Sequence, residues 1–580
     1  MKKVVLFLII VLLASTNVKS QSLTFTAAFD SMHNKLSVYY AFTEWKGINW
    51  NNLYNEFQPK IAAAQTTNDS IAFYSAVRQY LFTIPDGHVM LLGWWDKMEE
   101  FKYRKIGGSY GFALIELDNG DIVTRLIADD SPAALAGMQF GAKILEINGQ
   151  EINSVLDTVS TLFAESIPAT SEGKKLNQFR FIGRATVGDT IKVKFLNRGS
   201  TTPQTVLLSA VDDNYETLNK TSLNCSRDTL PYVSYEKLQP SGFGYLRLTS
   251  LGGSDSSIAE IYSGFAEAIS YFINENVPGI VLDLRINEGG EDFLAAALSG
   301  FFYSDTTLYE YISFYNPTSG QFEIYPDFLP HINSQTGEPY INTNYPQGSW
   351  FIEPTELHFN KPIVVMNSTR QISSGEGVAM ALQKLPNCNV VSLCGSQGSF
   401  GIIDFDQAIW LSDFPNPLAV GFPHGRSLDE NQNIQVDSDE NMIGGVMPDF
   451  RPPLNDEVID KMFLQNIDYE LEYAVDHLAT LVNIEDKHEA IAVSDFNLYQ
   501  NYPNPFNPTT NIKYQLAENG LVTLKLFDVL GQEVKILINE FQESGTYEIK
   551  LDAAGLAGGV YFVQLRCGTF QHVIKMILNK

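Results

Sequence analysis

Two periodicities divide the chain. From about Leu23 to Leu92 apolar residues recur at spacings of three and four, as in Ile71, Phe73, Tyr74, Val77, Tyr80 and Leu81, which predicts amphipathic helices. The short loop Pro85-Asp86-Gly87-His88 breaks that pattern. From about Gly107 the chain changes to short alternating strands and turns, as in Gly108 to Leu114, Asp121 to Leu126 and Gly141 to Gly149. From about Gly242 to Leu481 strands alternate with helices, the signature of an α/β core. Val277 to Arg285 and Lys361 to Asn367 are nearly unbroken apolar runs, as expected of strands covered on both faces. Ser304 to Phe359, rich in Tyr, Pro and Asn, reads as a long surface excursion. After the polar stretch Asn483 to Glu489, period-two strands such as Val522 to Asp528 and Gly558 to Leu565 outline a small all-β sandwich.

A multidomain α+β chain is therefore expected: a leader over 1–20, a helical domain over 21–104, a β-domain over 105–212, an α/β core over 213–485 and a sandwich over 495–580. The length of 580 residues supports several domains. The leader has a positive start, Met1-Lys2-Lys3, an apolar run from Val4 to Leu13, and small residues before Gln21. That run is short of the roughly 20 residues a bilayer span needs, so a secretory signal is expected, and no later segment spans a membrane. The formal charge of -28 argues against nucleic acid, which requires clustered Lys and Arg. Four cysteines, Cys225, Cys388, Cys394 and Cys567, are too sparse for a disulfide scaffold. On one strand Cys388 and Cys394 would lie about 20 Å apart and could not bond. No Cys or His cluster has metal-ligand spacing, so no metal or cofactor is expected.

Ser373 is the first candidate for chemistry. A buried strand over Ile363 to Asn367 leads into Ser373-Ser374-Gly375-Glu376, and a helix follows. A serine there faces unpaired backbone N–H groups that can stabilise an oxyanion. A helix N-cap is the plainer use of the same residue. Upstream, Asp283-Leu284-Arg285-Ile286-Asn287-Glu288-Gly289-Gly290 ends a buried strand with two glycines, where a backbone or substrate can approach closely.

Together these segments resemble the C-terminal processing and tricorn-type serine peptidases, through Asp-x-Arg-x-Asn-x-Gly-Gly, Ser-x-x-Glu, Gly445-Val446-Met447-Pro448-Asp449 and Glu470-Leu471-Glu472-Tyr473-Ala474. The resemblance implies a crotonase-like α/β peptidase core, Ser373 as nucleophile, and an oxyanion hole from the N–H of Ser374 with that of Gly289 or Gly290. One branch of the family uses a Lys downstream of the Ser, but no Lys occurs between Lys384 and Lys461. The tricorn-like branch uses a His from an earlier segment, and His88 matches it, although Gly87 stands where that pattern has Ser. A His suits general base work near neutral pH. His424 is a second candidate. The orienting acid falls in Asp437-Ser438-Asp439-Glu440; Asp437 is favoured because it ends a strand-like alternation, with Asp439 and Glu440 open.

Two further resemblances complete the reading. Ser131-Pro132-Ala133-Ala134 to Gly137, followed by Ile144-Leu145-Glu146-Ile147-Asn148-Gly149, resembles a PDZ domain. That implies capture of a peptide as an added strand, its carboxylate held by the loop Tyr110-Gly111-Phe112. The segment from Asn501-Tyr502-Pro503-Asn504-Pro505-Phe506 onward resembles the type IX secretion C-terminal sorting domain. It implies the type IX machinery as partner and a secreted or surface location. The expected function is a secreted serine endopeptidase acting on polypeptides through an acyl-enzyme, with the PDZ-like domain presenting or gating substrate. The alternative is a non-catalytic peptide- or ligand-binding protein on the same fold, displayed at the surface.

Overall fold

A computed structural model describes residues 24–221, 230–333, 336–412, 417–485 and 496–579, apart from Tyr502, Glu518, Glu543, Ser544 and Thr569. The expected leader and Cys225 lie outside the described residues. The chain forms two compact units, Met1–Val482 and Asn483–Lys580.

In the first unit, three capped helices open the fold. Thr24, Asn49 and Asp69 accept backbone N–H bonds at the starts of α1 (Phe25–Tyr39), α2 (Trp50–Thr67) and α3 (Ser70–Leu81). Their apolar faces share a core that includes Phe29, Leu36, Phe57, Tyr74 and Tyr80. The chain then turns through Asp86-Gly87-His88 into a short strand, β1 (Met90–Gly93). Its partner comes from more than three hundred residues later, because β1 pairs antiparallel with Leu418–Gly421. Next comes a six-stranded sheet whose edge strand is β2 (Phe112–Glu116). Helix α4 (Ser171–Phe181) packs against that edge strand.

The centre of the unit is a five-stranded sheet. An antiparallel edge, Val233–Lys237, precedes the parallel strands β3 (Gly244–Leu248), β4 (Ile280–Asp283), β5 (Ile363–Met366) and β6 (Cys388–Val390). Alternation along these strands divides their side chains between two layers. Ile280, Leu282, Ile363 and Val365 pack with residues of α5 (Asp255–Asn274), α6 (Asp292–Ser299) and α7 (Ser374–Gln383). Val281, Val364 and Met366 face Ala474 and Leu478 of α8 (Tyr469–Glu485). The excursion carries its own antiparallel strands, with Thr307–Asn316 pairing to Gln321–Ile324, Ser349–Ile352 and Gly425–Leu428. The carboxyl ends of β4, β5 and β6 open on one side of the sheet, where ligand sites of parallel sheets gather.

The second unit is two antiparallel sheets. One orders Asn497–Leu498, Thr509–Leu516 and Gly545–Asp552; the other orders Glu533–Gln542, Gly520–Asp528, Gly559–Cys567 and Phe570–Leu578. Ile512, Tyr514 and Leu516 meet Val522, Leu524, Leu526, Val563 and Leu565 in a shared core.

Candidate active site

The turn after β4 is built by its own side chains. Asp283 accepts from Tyr245 Oη at 2.7 Å and from Arg285 Nη2 at 2.9 Å. Arg285 also reaches Asp468 at 2.7 Å and Glu470 at 3.3 Å, tying α8 to the strand end. Against the penalty of burial, Arg285 and Tyr245 hold the Asp283 carboxyl down to about 2. Asn287 is fully buried and spans the turn. Its Nδ2 donates to the Leu248 carbonyl at 3.1 Å and its Oδ1 accepts from the Gly289 N–H at 2.9 Å.

Gly289 and Gly290 have φ of 80° and 147°, open to glycine and strained for other residues. A β carbon on Gly289 would come 2.5 Å from Ser373 Cβ and 3.1 Å from its Oγ, so this backbone lies directly against the serine. Ser373 itself sits at φ 61°, ψ -143°, immediately before α7. A positive φ is costly for a serine, and its side chain makes no capping bond to the helix. It is therefore not the ordinary N-cap. Among the described residues no backbone hydrogen bond engages the N–H of Ser374, next to Ser373, or of Gly290, next to the glycine that abuts it. The Gly289 N–H, by contrast, is committed to Asn287.

Ser399 joins two remote segments at this point. Its carbonyl accepts the Ser373 N–H at 2.9 Å, and its Oγ accepts the Gly87 N–H at 2.8 Å. A β carbon on Gly87 would fall 2.8 Å from both Ile372 Cδ1 and Gln397 Nε2, so the Asp86-Gly87-His88 turn abuts the serine loop. Close approach explains glycine here. Glu376 fixes the intervening loop, accepting from Ser396 Oγ at 2.5 Å, Gly398 N–H at 2.7 Å and Ser399 N–H at 3.0 Å. Burial nevertheless pushes its carboxyl up to about 7.

His88 is buried, its backbone N–H bound to Asp86 Oδ1 at 2.9 Å. Burial lowers its pKa, opposed by Asp86 and by a ring bond to the Gly401 carbonyl; Nδ1 has no hydrogen-bond partner. Asp437 is buried too. Oδ1 accepts from the Phe400 N–H at 3.1 Å, adjacent to His88's acceptor Gly401, while Oδ2 has no partner. Burial raises its pKa well above the carboxylate range, and Lys46 opposes that shift. Asp439 caps its own turn, with Oδ1 accepting from the N–H groups of Asn441 and Ile443. Glu440 is exposed and lines a cavity of about 420 Å³ with Lys46 and Pro85. The other candidate base, His424, lies tilted against the Phe314 ring and edge-on to Phe422, with Asp404 and Lys35 as charged neighbours. The Tyr110-Gly111-Phe112 loop is tied internally: the Tyr110 N–H donates to the Gly183 carbonyl at 2.9 Å and the Gly111 N–H to Ser109 Oγ at 3.0 Å.

Sequence reasoning missed several residues around the serine. Glu310, on the excursion strand, is fully buried, with both carboxyl oxygens unpaired, and interacts with Asp292 and Asp437. Asp292, two residues after Gly290, is pushed up to about 7 by burial. A glutamate inside an alternating, otherwise apolar strand was the available signal for the first. Nothing in the local pattern signals Ser399 or Lys46. Among the described residues no group of His, Cys, Asp and Glu has metal-binding geometry.

This arrangement defines a mixed α+β fold with a serine held at the end of a parallel sheet. Residues 242–451 match peptidase family S41, and residues 500–579 match the secretion system C-terminal sorting domain. The tail match marks the chain as a type IX product, secreted or held at the cell surface. Among curated proteins, the chloroplastic carboxyl-terminal-processing peptidase 3 of Arabidopsis thaliana is 26% identical over 222 residues, 38% of this chain and 37% of that protein. The chain thus spans well under two thirds of that relative. Among solved structures, mature CPAF aligns with a TM-score of 0.52 at 14% identity, covering 80% of this chain and 98% of that one. The complex of mature CPAF with lactacystin gives a TM-score of 0.50, also at 14% identity, covering 80% and 99%. At that identity the likeness concerns the fold alone. No helix among the described residues is long and apolar enough to cross a membrane.

Proposed function

We propose that the protein is an exported serine-type endopeptidase that cleaves polypeptides through an acyl-enzyme. The observation that carries this reading is Ser373: a non-glycine residue at positive φ, before a helix, flanked by the unengaged N–H groups of Gly290 and Ser374. Backbone strain of this kind persists where it serves a function. Ser373 Oγ attacks the scissile carbonyl while His88 takes its proton. The oxyanion is held by the N–H groups of Gly290 and Ser374, Gly289 being committed to Asn287. His88 then protonates the leaving amine, and water repeats the cycle on the acyl-enzyme. Asp437 is assigned the role of the acid that orients the His88 ring and stabilises the imidazolium formed when His88 takes the proton. Its burial and its place beside the Phe400–Gly401 backbone favour it over Asp439 and Glu440. His88 is favoured over His424 because its turn abuts the serine loop through Ser399 and Ile372.

The six-stranded sheet is read as a PDZ-like domain that receives an extended segment along the free edge of β2. With two N–H groups of the Tyr110-Gly111-Phe112 loop already bonded, the strand edge is the stronger holding element.

Labelling with a fluorophosphonate tests the core of this reading. Wild type is expected to be labelled at Ser373 and to degrade an unfolded protein. Ser373→Ala and His88→Ala are expected to lose both activities by at least about a thousandfold. An unlabelled wild type with no cleavage, binding peptide all the same, would point to a binding protein instead.

A further inference from the structure

The connection between α1 and α2 touches both ends of the proposed relay. Tyr40 Oη donates to Asp86 Oδ2 at 2.8 Å, and Asp86 Oδ1 holds the His88 N–H. Five residues on, Trp45 Nε1 donates to the Asp437 carbonyl at 3.0 Å. Lys46 Nζ donates to the Ser438 carbonyl at 2.7 Å and to Ser438 Oγ at 2.8 Å. Lys46 is only 4% exposed. Lysine is rarely buried that far, because its ammonium loses hydration that must be replaced. Two hydrogen bonds replace part of it, and the Phe42 ring lies 5.8 Å away. Nearby carboxylates supply the rest through the field.

Four carboxyl groups crowd this region. Asp437 interacts with Asp86 and Glu376, and Glu310 interacts with Asp437. Asp437 Oδ2 makes no hydrogen bond, so neutral donors alone do not hold its charge. Lys46 is the cation that opposes the upward shift of Asp437. It also disfavours protonation of His88, against Asp86 and the Gly401 carbonyl.

We infer that Lys46 is a positioning residue of the relay: through Ser438 it fixes Asp437 in place, and its charge favours the carboxylate of Asp437 and the neutral ring of His88. This rests on the serine-peptidase reading with His88 as base and Asp437 as orienting acid. A purely structural lysine would leave the ionisation of the relay unchanged.

The test is the pH profile of kcat/KM for the full chain on an unfolded protein substrate, with fluorophosphonate labelling as second readout. In Lys46→Met the cation is gone. Asp437 then protonates at higher pH and His88 also gains its proton at higher pH. Both effects move the acid limb in the same direction, upward by about one pH unit. The plateau rate is expected to fall about 10- to 100-fold, mainly in kcat. Lys46→Arg restores the position of the limb even where its bulk lowers the rate. Trp45→Phe removes the indole bond without touching charge, lowering the rate with the limb unmoved. A Lys46→Met enzyme that is slower but keeps the wild-type limb overturns the inference. Should Lys46→Met not fold, Ser438→Ala carries the test, since it removes one anchor of the ammonium and no charge. Its limb is expected to rise by a few tenths of a pH unit, and an unchanged limb and rate overturn the inference. If wild type is not labelled at all, the peptidase reading has failed, which is a different result from labelling in both with one limb.

Discussion

Glu376→Gln separates geometry from charge beneath the serine loop. The wild-type carboxyl is fully buried and takes three donors, the Ser396 hydroxyl and Gly398 N–H on Oε1 and the Ser399 N–H on Oε2. Burial lifts its pKa from 4.5 to about 7. Because the folded value lies above the unfolded one, the stabilisation is complete below about pH 4.5 and is lost as pH rises through 7. That difference corresponds to about 3 kcal/mol between the two limits. Glutamine keeps the shape and removes the titration. Its amide nitrogen must face the donor of Ser399 or those of Ser396 and Gly398, so a hydrogen bond is lost at every pH, for about 1–3 kcal/mol. The variant should therefore be the less stable protein at pH 5. Between pH 5 and pH 8 wild type should lose about 2–3 kcal/mol that the variant does not. Denaturant unfolding followed by tryptophan emission measures this in the first unit alone, because Trp45, Trp50, Trp94, Trp95, Trp350 and Trp410 all lie there. Parallel pH dependence in the two proteins would refute the argument. Labelling at Ser373 should also slow, since the Ser399 carbonyl that holds the Ser373 N–H belongs to the loop Glu376 fixes.

Gly289→Ala places a methyl 2.5 Å from Ser373 Cβ and 2.9 Å from the Ile372 carbonyl, at a φ of 80°. Displacing the nucleophile is expected to cut fluorophosphonate labelling about a hundredfold or more, and near-wild-type labelling would show that the serine is held elsewhere. Cys388 and Cys567 are buried and Cys394 is half-buried, and burial pushes the Cys394 thiol up to about 12. A thiol reagent at pH 8 should leave all three unmodified in the folded protein and react within minutes in denaturant; rapid reaction of native protein would contradict that burial.

Much of the fold was legible because its signals are local. The three- and four-residue spacing of Ile71, Tyr74, Val77 and Leu81 produced α3, and the apolar runs before Asp283 and Asn367 became β4 and β5. Ser373 and the two glycines were legible because a strand, a small-residue turn and a helix start follow one another in sequence. The commitment of the Gly289 N–H was not, since it depends on where the Asn287 side chain points. The positive φ of Ser373, which sets it apart from an ordinary cap, is imposed by Ser399 and Gly289 rather than by its neighbours in sequence. Lys46 was invisible for the same reason, and Glu310 showed only as a single glutamate within a strand. A lysine in a loop and a glutamate in a strand usually face water, and only the tertiary fold buries them.

The pairing of β1 with Leu418–Gly421 divides the chemistry in an unusual way. The segment that carries the family likeness, 242–451, contains Ser373 and Asp437 but neither His88 nor Lys46. On the proposed relay, the segment that matches the family is thus smaller than the unit that would react. On the proposed relay, a chain still being made, or still threading through an export channel, would hold an inert serine until the distant strands have met and closed a loop of over three hundred residues. Closure of that loop is slow compared with local folding, so reactivity of the proposed relay would wait on it. On the proposed relay, a single cut that frees the helices before β1 together with His88 would silence the chain while leaving Ser373 in place.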